Sequence, residues 1–446
     1  MRTWGLWALC SLLLAGYLGA RLLGQDRSVF LPGETTSGHH QIELACGACH
    51  VDPFGGGEVL QEACINCHGA ELAASDDSHP KSKFTDPRNA DRLSQIDARY
   101  CISCHVEHRA EITQAMGLTL PPDYCIACHR DIESDRPTHT GMDHTTCQTG
   151  GCHNFHDNRA LYEDFLLDHA GEPDLLPVRL IQMRDGGFTE AALALVTADS
   201  DAPAQRATDA AVVAEWAASG HARAGVNCSD CHGAAGDWVE APGLAVCGEC
   251  HAEPVTGFLA GKHGMRLAQD LPPMTPAMAR IPMHEEAAHR ELTCATCHGA
   301  HGYDTTFAAV QACATCHADE HTAAYEGSPH HQLWLAEQAG DLPPGSGVTC
   351  ATCHMPRGEL SGGVGEAVRV TVEHNQNATL RPNEKMIRPV CLSCHGLPFA
   401  IDALADPALV SNNFRGRPAR HISSVEMAQE NLERDRARRE SASPDG

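Results

Sequence analysis

Aromatic residues are scarce in this chain. Phenylalanine, tryptophan and tyrosine make up 5% of its 446 residues, which argues against an ordinary apolar core filled by side chains alone. Positive charge is short as well. Lys and Arg number 32 against 58 Asp and Glu, a net charge of −26. Binding to phosphate backbones needs clusters of Lys and Arg, so nucleic acid is not expected as a partner. Unassigned cysteine is almost missing: 22 of the 23 cysteines fall into one repeated pattern, and Cys10 is left over.

That pattern is Cys-x-x-Cys-His. It is plainest at Cys294, Cys297, His298 and again at Cys313, Cys316, His317. It also occurs at Cys46/Cys49/His50, Cys64/Cys67/His68, Cys101/Cys104/His105, Cys125/Cys128/His129 and Cys228/Cys231/His232. Further copies are Cys247/Cys250/His251, Cys350/Cys353/His354 and Cys391/Cys394/His395. An eleventh copy, Cys147/Cys152/His153, carries two extra residues between its thiols, and its Gly150-Gly151 pair tolerates the bulge. Cys-x-x-Cys-His is the attachment signal of a c-type haem. One turn of backbone brings two thiols to the two vinyl groups, and the adjoining histidine becomes the proximal iron ligand. Zinc knuckles, disulfides and thioredoxin-like pairs do not require a histidine after every second cysteine. Eleven covalently attached haems are therefore expected.

Such a haem density sets the fold. The porphyrins supply much of the apolar area that drives collapse. The expected class is mainly α, with short helices, extensive loops and little sheet, wrapped round a chain of haems. The first 24 residues hold an apolar run from Trp4 to Leu23, readable as a signal peptide or an uncleaved membrane anchor. Both place the rest on the periplasmic side of a bacterial inner membrane, anchored or released. Five units fall in residues 25–170 and six in 213–420. Residues 171–212, without a unit, read as a helical linker, with short helices at Ala191–Val196 and at Ala210–Ala218, where Gly220 would end the second. The charged tail 421–446 reads as a solvated helix or disorder.

A low-spin haem needs a second axial ligand, and histidine gives a lower potential than methionine. Eight spare histidines accompany the first five units: His39, His40, His79, His108, His139, His144, His156 and His169. Ten accompany the other six: His221, His263, His284, His289, His301, His321, His330, His331, His374 and His421. His108, His156 and His301 each follow a proximal histidine by three residues. On a short helix they would share its face, and so would reach a neighbouring haem rather than their own. His169 closes an amphipathic stretch, Leu161 to His169. His330 and His331 are adjacent, so one of them at most serves a given iron. Spacing repeats within the second region suggest duplicated two-haem modules.

The run Met386 to Gly396, with Asp402 to Asp406 and Asn412-Asn413-Phe414, resembles the C-terminal haem segment of the hydroxylamine oxidoreductase-like multihaem cytochromes. That group includes octahaem tetrathionate reductases, and the resemblance spans about residues 213–425. The first region resembles low-potential multihaem electron carriers in its unit spacing and Cys-His-x-x-His. The former resemblance implies an open iron at the fifth unit from the end, Cys247/Cys250/His251. A catalytic set of His251, Lys262, His263 and Arg266 would then act on nitrite, hydroxylamine or tetrathionate. Two departures stand against it. No tyrosine follows Tyr325 to cross-link a catalytic haem, and every unit ends in histidine, never lysine. The favoured function is an electron carrier of a respiratory chain. Its partners would be redox proteins, including a quinol-oxidising membrane complex, and the membrane itself. Oligomers or a haem-stacked filament remain alternatives.

Overall fold

The structure is a computed structural model describing residues 2–24, 26–52, 55–75, 79–147, 155–156, 162–179, 181, 194–206, 209–360, 369–380 and 383–442. It is mainly helical, with about 2% strand. Two compact units emerge. The first comprises Met1–Ala70, His79–Cys128 and Gln269–Leu271; the second comprises Glu71–Ser78, His129–Ala268 and Pro272–Gly446.

In the first unit the apolar run forms one helix, Arg2–Leu23. Its segment Thr3–Leu23 is long and apolar enough to cross a membrane, and Trp4, Trp7 and Leu12 are exposed on it. The helix Gly57–Ala74 is rich in Glu, Gln, Leu and Ala, which favour helix, and carries the second Cys-x-x-Cys-His. Most other elements of this unit are single 3₁₀ turns, including those that open the first, third and fourth Cys-x-x-Cys-His. Among the described residues, its buried apolar side chains are Ala63 and Leu118.

The second unit has a side-chain core. Leu166, Met386, Ile387, Leu397, Ile401, Leu404, Val425 and Ala428 pack together. The helix Leu397–Ala405 supplies its spine. Leu397, Ile401 and Leu404 recur at helical spacing on one buried face. Asp406 stops that helix and caps the next, Pro407–Ser411, accepting from the N–H groups of Ala408 and Leu409 at 3.0 and 3.2 Å. A second cluster joins Val310, Tyr325 and Trp334. The strands of the sheet are β1 (Arg357–Leu360) and β2 (Arg369–Val372), antiparallel, with Arg357 opposite Val372.

Several expectations change. The tail is the helix Ser424–Ala442, and it is not merely solvated, because Val425 and Ala428 enter the core. Residues 194–196 are not helical, and residues 191–193 lie outside the described residues. The helix Ala210–Ala218 forms, with Trp216 buried. It ends at Ser219, and Gly220 begins a new helix, Gly220–Arg223. The stretch expected as a linker opens against the last Cys-x-x-Cys-His. Gly396 N–H donates to Pro173 O at 3.2 Å, and Leu176 N–H to Cys394 O at 2.9 Å.

Candidate functional site

Five of the Cys-x-x-Cys-His turns close on themselves in the same way. The histidine N–H donates to the carbonyl of the first cysteine, at 2.8 Å in His50 and His395 and 2.9 Å in His105, His251 and His317. Three copies form a short helix whose start is fixed by the residues around the first cysteine. Asn227 N–H donates to Asp230 at 2.7 Å, Thr293 N–H to Thr296 Oγ1 at 3.0 Å and Thr349 N–H to Thr352 Oγ1 at 3.0 Å. These are capping boxes, and they hold both thiols of a unit on one turn. In two of these units glycine follows the histidine, Gly233 at φ +80° and Gly299 at φ +75°. That turns the chain away directly behind the proximal ring. Cys152 and His153 of the stretched unit lie outside the described residues.

First thiols of consecutive units meet. Cys64 is hydrogen-bonded to Cys101, Cys294 to Cys247 and Cys313 to Cys350. Gln61 helps align the first of these pairs by accepting from Cys101 N–H at 2.7 Å. Burial pushes the Cys104 and Cys297 thiols up to about 11, and those of Cys353 and Cys391 to about 12. Among the described residues, no cysteine forms a disulfide.

Not every attachment turn is enclosed by polypeptide. Cys49, Cys67 and Cys250, each the second cysteine of its unit, are exposed. The adjoining His50, His68 and His251 are exposed too, as is His129. The cause is local packing. The helix Gly57–Ala74 turns Ala63 inward and leaves Ile65 and Cys67 on its outer side. Cys250 sits in the turn between the helices Leu244–Gly248 and Ala252–Ala260, where residues 249–253 are all exposed. Side chains do not cover the second thiol at these places, so a porphyrin attached there would itself be the cover.

The six proximal histidines of residues 213–420 do not stand alone. His232 faces His301 with ring centroids 6.2 Å apart, and His251 faces His221 at 5.9 Å. His298 faces His374 and His317 faces His263, both at 6.3 Å. His354 faces His321 at 6.1 Å, and His395 faces His330 at 6.3 Å. In the first unit His68 faces His39 at 5.9 Å. A metal–imidazole bond is about 2 Å, so two imidazoles on opposite sides of one metal hold their centroids about 6 Å apart. The residues therefore fit a six-coordinate haem iron. Among the described residues, no group of three or more His, Cys, Asp or Glu converges on one metal position.

Local structure explains how three of the facing rings are held. His221, His321 and His330 are each the second residue of a helix, two places after its cap. Ser219 Oγ accepts from Ala222 N–H at 3.2 Å, Asp319 from Thr322 N–H at 3.1 Å and Ser328 Oγ from His331 N–H at 3.1 Å. Cap-x-His is thus a sequence signal for the facing ligand that was open to reading in advance.

Outer partners then orient the rings. His321 Nδ1–H donates to Val410 O at 2.6 Å and His374 Nδ1–H to Val372 O at 2.9 Å. On the proximal side His232 donates to Val239 O at 2.6 Å and His395 to Asp174 O at 2.9 Å. Such partners fix tautomer and ring angle, leaving Nε2 free for metal. His39 has a carboxylate instead, Glu107 Oε1 at 2.7 Å. Nδ1 of His221 is buried without a partner, and Tyr303 stands edge-on to that ring at 4.4 Å. Burial, reinforced by the neighbouring ring, lowers His263, His330 and His354 to about 4. They are neutral near pH 7, as ligands must be.

The other candidates have different surroundings. His284 and His289 are exposed. His331 accepts from Gly327 N–H at 2.9 Å and stacks on Trp334. His421 pairs with Asp402 and Glu426. His108 Nδ1–H donates to Gly33 O at 2.9 Å, and His169 pairs with Glu172 at 2.6 Å. His144 lies 3.6 Å from Glu133. His40 meets Ser37 O, His79 stacks on Phe84, His139 lies beside Thr138 and His156 beside Phe155. The shared face expected for residues three apart does not form at His301 or His108. Gly299 ends the helix before His301, and His108 itself takes φ +62°. The proposed catalytic set is divided: His251 faces His221, His263 faces His317, and Arg266 Nε–H donates to Pro272 O at 2.9 Å. Lys262, next to His263 in sequence, is held by contacts of its own.

Residues 38–130 match the family model described as cytochrome c3. That stretch carries the first four Cys-x-x-Cys-His units, and its similarity is to multihaem c-type cytochromes. No solved structure matches the chain. Electron transfer by haem is the function class that agrees with this match and with the helical fold.

Proposed function

We propose that this chain is an undecahaem c-type cytochrome that carries electrons between the quinone side of a membrane and a periplasmic or outer acceptor. One observation carries the reading. Each of the six proximal histidines within residues 213–420 is faced by another histidine at 5.9 to 6.3 Å. Paired imidazoles keep an iron low-spin and close it to substrates, which suits electron transfer rather than bond chemistry. When bound, haem supplies one-electron redox chemistry; the protein sets spacing, orientation and potential. The thiols would hold the porphyrin edges, and the histidine pairs would hold both faces. The meeting thiols Cys247 and Cys294, and Cys313 and Cys350, place consecutive attachment sites side by side. That supports passage along the chain in sequence order. The exposed turns at Cys49, Cys67 and Cys250 would leave a haem edge open to solvent, where a redox partner can approach. On this reading five haems belong to residues 25–170 and six to 213–420, with Arg2–Leu23 as the membrane segment.

An enzyme acting on nitrite, hydroxylamine or tetrathionate would need an open iron. The unit implied for that role is His251, and His221 stands opposite it. Two measurements test the proposal. The mature protein should weigh the polypeptide plus eleven haems. Electron paramagnetic resonance of the oxidised protein should show low-spin bis-histidine signals alone. One high-spin signal that shifts with nitrite, hydroxylamine or tetrathionate would overturn the carrier in favour of the enzyme.

A further inference from the structure

The facing histidine of the second Cys-x-x-Cys-His is held by a charge that the third one supplies. Glu107 lies inside Cys104-His105-Val106-Glu107-His108. One of its oxygens meets His39 Nδ1 at 2.7 Å and accepts from Thr36 Oγ1 at 2.9 Å. Its other oxygen accepts from Thr36 N–H at 2.8 Å. Three donors thus converge on this carboxylate, His39 Nδ1–H, Thr36 Oγ1–H and Thr36 N–H, the pattern of an ionised carboxyl. The loop carrying it is pinned from behind. His108 takes φ +62° and donates to Gly33 O at 2.9 Å. Gly33 cannot be replaced cheaply there, because a Cβ would meet His108 O at 2.5 Å. The two segments that position His39 and Glu107 are thus locked to one another on both sides.

We propose that Glu107 is a positioning and tuning residue for the haem at Cys64/Cys67/His68, giving its His39 ligand anionic character and lowering its potential. This rests on the proposed ligation of that iron by His39. A carboxylate on the outer nitrogen raises imidazole basicity and favours the ferric ion, which carries more positive charge. A backbone carbonyl, the partner of His321 and His374, orients the ring without adding a charge. The third attachment segment therefore sets the potential of its neighbour, and this part of the chain is biased to pass electrons onward rather than to store them.

The experiment is a redox titration followed by electron paramagnetic resonance, on the full-length haem-loaded protein. Glu107→Gln keeps an acceptor for His39 and removes the charge. One low-spin component should shift its one-electron equilibrium about tenfold toward the ferrous state, which is about 59 mV upward. The other components should stay in place and haem mass should be unchanged. Glu107→Asp should return part of the shift, which a loss of packing alone would not do. His39→Ala should turn one low-spin signal high-spin. If His39→Ala does so while Glu107→Gln moves no potential, the tuning role is refuted and the ligation stands. If His39→Ala leaves every haem low-spin, the ligation is refuted and the tuning role falls with it.

Discussion

The two units solve the same problem with different materials. In the first, the described buried apolar side chains are Ala63 and Leu118, and the backbone runs through isolated 3₁₀ turns. In the second, Ile387 and Leu397 are fully buried and Ile401 nearly so, in a cluster fed by several helices. The haem-holding parts differ in parallel. His39 in the first unit is oriented by the charged Glu107, whereas His321 and His374 in the second are oriented by backbone carbonyls. On the proposed function, a unit without a packed side-chain core draws more of its stability from the prosthetic groups.

The sharpest way to break that comparison is to withhold haem. In chain produced without haem attachment, residues 26–147 should be cleaved by protease at least tenfold faster than residues 383–442. Mass spectrometry of the fragments reads the difference, and equal cleavage of both would void the contrast. Next in size is ligand removal. His330→Ala or His263→Ala should convert one low-spin haem to high-spin in electron paramagnetic resonance, while His289→Ala and His331→Ala should leave the spectrum unchanged. The core itself is tested by Ile401→Ala, expected to destabilise the second unit by about 3 kcal/mol, as a buried large-to-small change does. Denaturant unfolding measures that loss, and a change under about 0.5 kcal/mol would show that haem, not packing, dominates there too.

The smallest expected effect concerns the tail. Hydrogen bonding to Asp402, helped by its charge and that of Glu426, raises the His421 pKa against a small opposing burial. A raised folded value means the contact stabilises fully below the unfolded pKa of about 6.5 and is lost as pH rises through the folded value. The side chain is 59% exposed, so solvent screening keeps the effect small. Amide exchange in Ser424–Ala442 should quicken slightly beyond its intrinsic pH trend as pH rises. His421→Asn should remove that excess.

Much of the molecule was legible before any coordinates. Cysteine and histidine spacing marked turns whose closure is local: in five of them the histidine N–H returns to the carbonyl of the first cysteine within the same five residues. The apolar helix Arg2–Leu23 was equally plain, since length and hydropathy are properties of the run itself. Scarce aromatics and the density of Cys-x-x-Cys-His units pointed to short helices and little sheet.

The pairing of rings was not legible. Eighteen spare histidines were visible, but nothing in the spacing says that His374 crosses to His298 or that His263 belongs to His317. Those partners are brought together by turns and packing far along the chain. Nor does the motif say which thiols the chain shelters: Cys353 and Cys67 hold the same place in it, yet Cys67 faces solvent and Cys353 packs against the core. Glu107 was overlooked for the same reason. Its own neighbours are His105 and His108, yet the group it holds is His39, which only tertiary structure brings to it. Sequence alone determined where haem can be attached, because that chemistry lies within one turn of backbone. Tertiary structure decided which second histidine stands opposite each of seven proximal rings, because those contacts depend on how distant segments pack.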